Sequence, residues 1–163
     1  NRDDEILVFF QEMKTKISSS RLCKALVTES PEVVPKFTTS IKSIELIQGS
    51  GYAPGAIFQT NFPEGAHFKY MKCRVDEIDH EKHSIKYTLI EGDMLGDKLE
   101  KICYDMKFED TEDGGCVVKV TSEYHTKGDY ELADEDLKGA KEQSLGMYKS
   151  CEDYLLANPH VCA

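Results

Sequence analysis

The sequence predicts a single α+β domain: a seven-stranded antiparallel sheet wrapped around one long C-terminal helix, with two short helices, in a helix-grip arrangement. Three observations carry that expectation. Apolar and polar residues alternate from Ile41 to about Tyr124, the period of antiparallel strands with one face in water. From Asp134 to about Ala157 the period becomes helical, with Leu137, Ala140, Ser144, Met147, Cys151 and Tyr154 stepping by three and four. Finally, the 163 residues contain no repeat, low-complexity tract or linker, so one domain spanning 1–163 is expected.

Element by element, "ILVFFQEMKTKI" reads as the first strand. In "SSSRLCKALV" a serine cap precedes apolar residues at helical spacing, so a short helix starts there. Pro31 and Pro35 bracket "EVV"; proline suits a first turn and breaks an interior one, which predicts a second short helix or a turn. The alternating runs then follow: Phe58, Thr60, Phe62; Phe68, Tyr70; Ile85, Tyr87, Leu89; Ile102 to Phe108; Val118 to Tyr124. Between them "FPEG", "DHEKH", "EGDMLGD" and "EDGG" carry turn chemistry at hairpin spacing. The last helix opens on the acidic "DED", which complements its dipole, and must stop near Asn158 because Pro159 follows. At 1.5 Å per residue it is roughly 36 Å long, enough to cross a small domain.

Thirty acidic residues against twenty basic ones give a formal charge of −10. That balance repels nucleic acid and anionic lipid, and no cluster of Lys or Arg offsets it. The longest mostly apolar run, Ile6 to Phe10, is too short for a membrane span or a signal-peptide core. A soluble, cytoplasmic monomer is expected, with neither nucleic acid nor membrane as partner. The six cysteines are scattered singly through apolar patterns, which reads as free buried thiols in a reducing compartment. No pair stands two to four residues apart as a structural zinc site would want. His80 and His83 have a metal-compatible spacing but fall in a turn, and His125 reads as a hydrogen-bonding residue at a strand end. No metal and no cofactor are expected.

"GSGYAPGAIF", Gly49 to Phe58, looks at first like a phosphate-binding loop. It lacks the Lys and Ser/Thr of a P-loop, since Ala56 and Ile57 follow Gly55. The dinucleotide fingerprint fails as well, because a strand follows where a helix N-terminus should receive the pyrophosphate. A glycine-rich hairpin loop is the remaining reading.

The run "FPEGAHFKYMKCRVDEIDHEKHSIKYTLIEGDMLGDKLEKI", then "YHTKGDYE", then "KEQSLGMYKSCEDYLLANP" resembles the pathogenesis-related class-10 proteins of plants. The resemblance covers nearly the whole chain in order, and "KYTLIEGD" with "YHTKGD" is specific. It implies a large apolar cavity between sheet and helix that binds amphiphilic small molecules such as plant hormones and flavonoids, hence a defence-related intracellular carrier. The lining it implies is Phe58, Phe62, Phe68, Tyr70, Ile85, Tyr87, Leu89, Tyr104, Met106 and Val120 from the sheet. Leu137, Ala140, Lys141, Ser144 and Met147 complete it from the helix. Tyr87, Tyr104 and Lys141 would be the polar tips that orient a flat ligand with one or two hydroxyl or carbonyl groups. The alternative for the same residues is a packed core.

The chain departs from that pattern in places. The family's loop is usually G-x-G-G-x-G; "GSGYAPG" is one residue longer and puts Tyr52 and Ala53 where glycines stand, so Tyr52 is expected to stiffen or cover the loop. A matching shortening lies between Lys36 and Ile41. Cys73 replaces a common acidic residue, while Phe58 and Ile85 are apolar where polar or tyrosine residues are common. Ribonuclease activity attributed to the family would fall on Glu100, Glu152 and Tyr154, and cavity chemistry on Lys141 as a base; surface carboxylates and a core tyrosine are the alternative, and no catalytic residue is assigned.

Overall fold

The computed structural model describes residues 5–128 and 131–163. Asp129 and Tyr130, near the end of "YHTKGDYE", lie outside the described residues. Along the chain run β1 (Ile6–Thr15), α1 (Ser19–Cys23), a π turn (Lys24–Thr28), α2 (Ser30–Phe37), β2 (Ser43–Gln48) and β3 (Ile57–Asn61). Then come β4 (Tyr70–Asp79), β5 (Ser84–Gly92), β6 (Leu99–Asp110), β7 (Cys116–Thr126) and α3 (Asp134–Ala157). The seven strands form one sheet in the order β1-β7-β6-β5-β4-β3-β2. Every neighbouring pair is antiparallel, so β2 to β7 are a meander and β1 returns beside β7.

The helix boundaries follow from capping. Ser18 accepts a hydrogen bond from the Arg21 amide at the start of α1, the role a serine cap plays. Glu29 N–H donates to Lys24 O at 2.7 Å, closing the π turn. α2 begins at Ser30 with Pro31 in its first turn and runs through Pro35. The second short helix is present, and Pro35 costs it little: in two turns of helix it forfeits one bond, that to the Pro31 carbonyl. α3 opens on Asp134, Glu135 and Asp136 and ends at Ala157, before Asn158, as its dipole and Pro159 require.

No basic residue stands in the last turn of α3; Arg21 of α1 supplies the missing charge. Its Nη2 donates to Leu155 O at 2.8 Å and Asn158 O at 2.6 Å, and its Nε to Val161 O at 2.8 Å. The guanidinium thus closes orphan carbonyls and meets the negative end of the helix.

Two apolar clusters pack the interior. The larger joins Leu22, Val33, Phe108, Val118, Cys151 and Leu155, where α1, α2 and the second half of α3 meet the sheet. The smaller joins Leu89, Leu95, Leu99 and Ile102. Tyr104 touches both. All six cysteines are free; Cys23, Cys116 and Cys151 are buried and the other three half-buried. No helix among the described residues is long and apolar enough to cross a membrane.

β4 is longer than its alternation suggests because its register with β5 shifts twice, between Lys72 and Cys73 and between Val75 and Glu77. Ile90 is the extra residue on β5 and Asp76 that on β4, so within β4 only the bulge at Asp76 resets the period-two phase. Met71, Cys73 and Val75 face inward with the core. Tyr70, one position out of phase, therefore points the other way.

Candidate functional site

The inner face between the two clusters is a floor of tyrosines. Tyr87 on β5 and Tyr104 on β6 are direct cross-strand partners, and their rings stack 4.8 Å apart. Burial pushes both phenols well above their ordinary pKa, with Tyr148 and Cys73 adding to the shift in each case. Tyr124 on β7, packed edge-on against Phe9 at 5.6 Å, acts on Tyr104 as well. Tyr148 comes down from α3, is 7 % exposed, and is pushed up to about 12 by burial.

These groups are deep, yet not close-packed. Tyr87 and Tyr104 keep accessible surface at that depth. The Tyr87 hydroxyl donates to Met106 Sδ at 3.6 Å, a weak acceptor. The Tyr104, Tyr124 and Tyr148 hydroxyls have no hydrogen-bond partner among the described residues, although no fully buried side-chain oxygen or nitrogen there lacks one. Those hydroxyls must therefore open onto accessible space. The inner face of the sheet below α3 thus presents aromatic faces and hydroxyls without a hydrogen-bond partner among the described residues, the lining that a ligand hollow would have. The helix leaves room for it: Tyr148, Cys151 and Leu155, its buried residues, all belong to its second half, and its close backbone neighbours are β1 and α2.

The glycine-rich loop closes one side. Gly49 and Gly55 turn the chain with φ of +96° and +91°, which glycine tolerates. Between them Tyr52 reaches inward and stacks on Phe58 at 3.9 Å. Ser30 of α2 already gives its one proton to Val27 O, so the Tyr52 hydroxyl is the donor in its 2.7 Å bond to Ser30 Oγ. The loop is pinned to α2. Tyr52→Phe is expected to cost about 1 kcal/mol, and Tyr52→Gly about 3 kcal/mol through the lost ring; urea midpoints measure both. Equal stability of all three forms would mean the ring is not docked.

The family model described as "Pathogenesis-related protein Bet v 1 family" matches residues 8–158. The chain belongs to that family. It is 46 % identical over 152 residues to pathogenesis-related protein STH-21 of Solanum tuberosum, covering 93 % of this chain and 95 % of the relative. Against major pollen allergen Bet v 1-B of Betula pendula the identity is 45 % over 154 residues, covering 93 % and 96 %. Among solved structures, Ara h 8.0201 superposes with a TM-score of 0.84 at 32 % identity, over 94 % of this chain and all of that one. Norcoclaurine synthase from Thalictrum flavum shares the fold, with a TM-score of 0.71 at 19 % identity over 95 % and 89 % of the two chains.

Within this Bet v 1-family protein the residues named from sequence fall into three groups. Phe58, Ile85, Tyr87, Leu89, Tyr104, Met106 and Val120 all belong to the inner clusters or stand on the inner face between them. Phe62 and Phe68 are half-buried in the β3–β4 connection, and Leu137, Ser144 and Met147 are half-buried along α3. The third group is placed otherwise. Tyr70 is on the outer face, where its hydroxyl donates to Glu91 Oε2 at 2.8 Å beside the Lys72–Glu91 ion pair. Ala140 and Lys141 are exposed: Lys141 stands seven residues before Tyr148 on the same helix face, but the first half of α3 has no buried residue.

The lining that the resemblance implies leaves out Tyr52, Cys73, Tyr124 and Tyr148, although Tyr124 stands in the alternating run of β7 and Tyr52 in the loop it is expected to cover. For Tyr148 a signal existed: Ser144, Tyr148, Cys151 and Leu155 also step by four, three and four.

Glu100, Glu152 and Tyr154 do not meet. Glu152 accepts from Thr15 Oγ1 at 2.7 Å, Lys16 N at 3.3 Å and Lys149 Nζ at 3.2 Å, and the Thr15 hydroxyl foremost holds its pKa below the usual carboxylate range. Thr15 pairs with Cys116, which pairs with Asp110 at the far end of β6. Glu100, exposed near the beginning of β6, is ten residues away, about 33 Å of strand. Two carboxylates so placed cannot share one phosphodiester. Tyr154 packs against Phe37, ring centroids 6.3 Å apart. His83 is taken up by Ser19, with Oγ 3.0 Å from Nδ1.

Proposed function

We propose that this protein is a carrier for flat, amphiphilic small molecules, hormone-like or flavonoid-like in chemistry, held in the tyrosine-walled hollow. One observation supports this above all: the Tyr104 hydroxyl sits deep between two apolar clusters with no hydrogen-bond partner among the described residues. Aromatic faces give such a ligand its contact area, and the unclaimed hydroxyls of Tyr104, Tyr124 and Tyr148 give it hydrogen bonds. Such a carrier works as a cytoplasmic monomer that exchanges its ligand with the surroundings.

Displacement of an apolar fluorescent dye by a panel of cytokinins and flavonoids tests the reading. Saturable displacement is expected, with Tyr104→Phe weakening a hydroxyl- or carbonyl-bearing competitor about tenfold, one hydrogen bond's worth, while dye affinity stays. Lys141→Ala is expected to change neither. No displacement by any member of the panel, or equal affinities in wild type and Tyr104→Phe, would overturn it.

A further inference from the structure

On the opposite face of the sheet, away from the hollow, three side chains of ligand chemistry converge. Cys103 of β6 and Glu123 of β7 are direct cross-strand partners, and His125 lies two residues beyond Glu123 on the same face. Cys103 Sγ is 3.7 Å from His125 Nε2, and the same nitrogen is 3.5 Å from Glu123 Oε1. All three donor atoms lie within 4.8 Å of one another.

We propose that Cys103, Glu123 and His125 form a binding site for a zinc-class divalent cation. Two of the three donor separations are those of a coordination polyhedron. With metal bonds of about 2.3 Å to sulfur and about 2.1 Å to nitrogen and oxygen, a tetrahedron has S···N and N···O edges of about 3.6 and 3.4 Å. Both observed separations lie close to these values. One ring nitrogen facing a sulfur and a carboxylate together is a poor hydrogen-bond arrangement, since a single N–H aims at one acceptor. As the corner of a metal site it is ordinary.

The donor set, one thiolate, one imidazole and one carboxylate, suits zinc or cobalt and discriminates against magnesium and calcium, which want oxygen alone. Both strands are internal to the sheet, so their ladders hold the ligands in place. The His125 side chain is 17 % exposed and that of Glu123 46 %, which leaves room for water as the fourth ligand. Thr88 Oγ1, 3.7 Å from Cys103 Sγ, donates to Asp76 Oδ2 at 2.5 Å, and the other oxygen of that carboxylate is paired with Arg74 Nε at 2.7 Å. Binding replaces the S–H bond by an S–metal bond and releases the thiol proton to solvent.

Cobalt(II) titration of the full chain, kept reduced by a phosphine, tests the site. A saturable thiolate-to-cobalt charge-transfer band is expected at one equivalent, bleached by zinc and unaffected by magnesium or calcium. Cys103→Ser is expected to abolish the band, His125→Ala and Glu123→Gln to weaken binding about tenfold or more. Cys73→Ser and Cys162→Ser should leave it intact. Persistence of the band in Cys103→Ser, or wild-type binding no tighter than that of His125→Ala, would overturn the proposal. Zinc should also raise the melting temperature of the wild type and not that of Cys103→Ser; an equal rise in both would count against it.

Discussion

Gly115→Ala is expected to destabilise the fold by about 4 kcal/mol, lowering the melting temperature by roughly 10 °C. Gly115 lies buried in the turn between β6 and β7, directly before Cys116, whose partner on β1 is Thr15. A Cβ there would run into the Thr15 carbonyl oxygen and stand 3.3 Å from Lys16 Cα. Both obstacles are backbone, so neither can swing aside. Relief requires pulling β1 off β7 at the point where Thr15 also holds Glu152 of α3. Gly114 is the control: its φ is +88° but the space around its Cβ is open, so Gly114→Ala should cost only about 1 kcal/mol of backbone strain. Similar urea midpoints for the two variants would show that β1 yields easily.

Arg21→Ala should cost about 3 kcal/mol, because three half-buried carbonyls at the end of α3 lose charge-assisted donors together. Arg21→Lys is expected to recover less than half, since an ammonium on a flexible stem cannot reproduce a planar fork that serves three acceptors. Chemical denaturation with an unchanged m-value measures this. Full rescue by lysine would mean that charge alone, and not the fork, does the capping.

Much of this fold is legible in the sequence, for reasons that particular residues make plain. β6 and β7 alternate cleanly because one of their faces is wet, so Ile102, Tyr104, Met106 and Phe108 declare their side. The ends of α3 are written in "DED" and Pro159, and Ser18 announces α1. What escapes is whatever depends on register. The bulge at Asp76 reverses the phase of β4, so counting back by twos from Ile78 makes Tyr70 read as inward, whereas Met71, Cys73 and Val75 face in and Tyr70 faces out. On α3 small residues make two stripes equally plausible, and only packing against Leu22 and Val118 selects the one with Tyr148, Cys151 and Leu155. Cys103 and His125 are 22 residues apart in the chain; nothing short of strand pairing brings them together. Arg21 likewise reads as an ordinary surface residue until α3 ends beside it.

The unequal anchoring of α3 makes one continuous helix two regions in free energy. Its second half is held by the Arg21 fork and by the burial of Cys151 and Leu155, so releasing it approaches the cost of global unfolding. Its first half has Ala140 and Lys141 in water and, among the described residues, one long bond to the sheet, Gln11 Nε2 to Lys141 O at 3.5 Å. Fraying from Asp134 inward therefore uncovers the inner face of the sheet at a small fraction of the protein's stability while the core stays folded, and under the proposed carrier function that opening would be the ligand's way in and out.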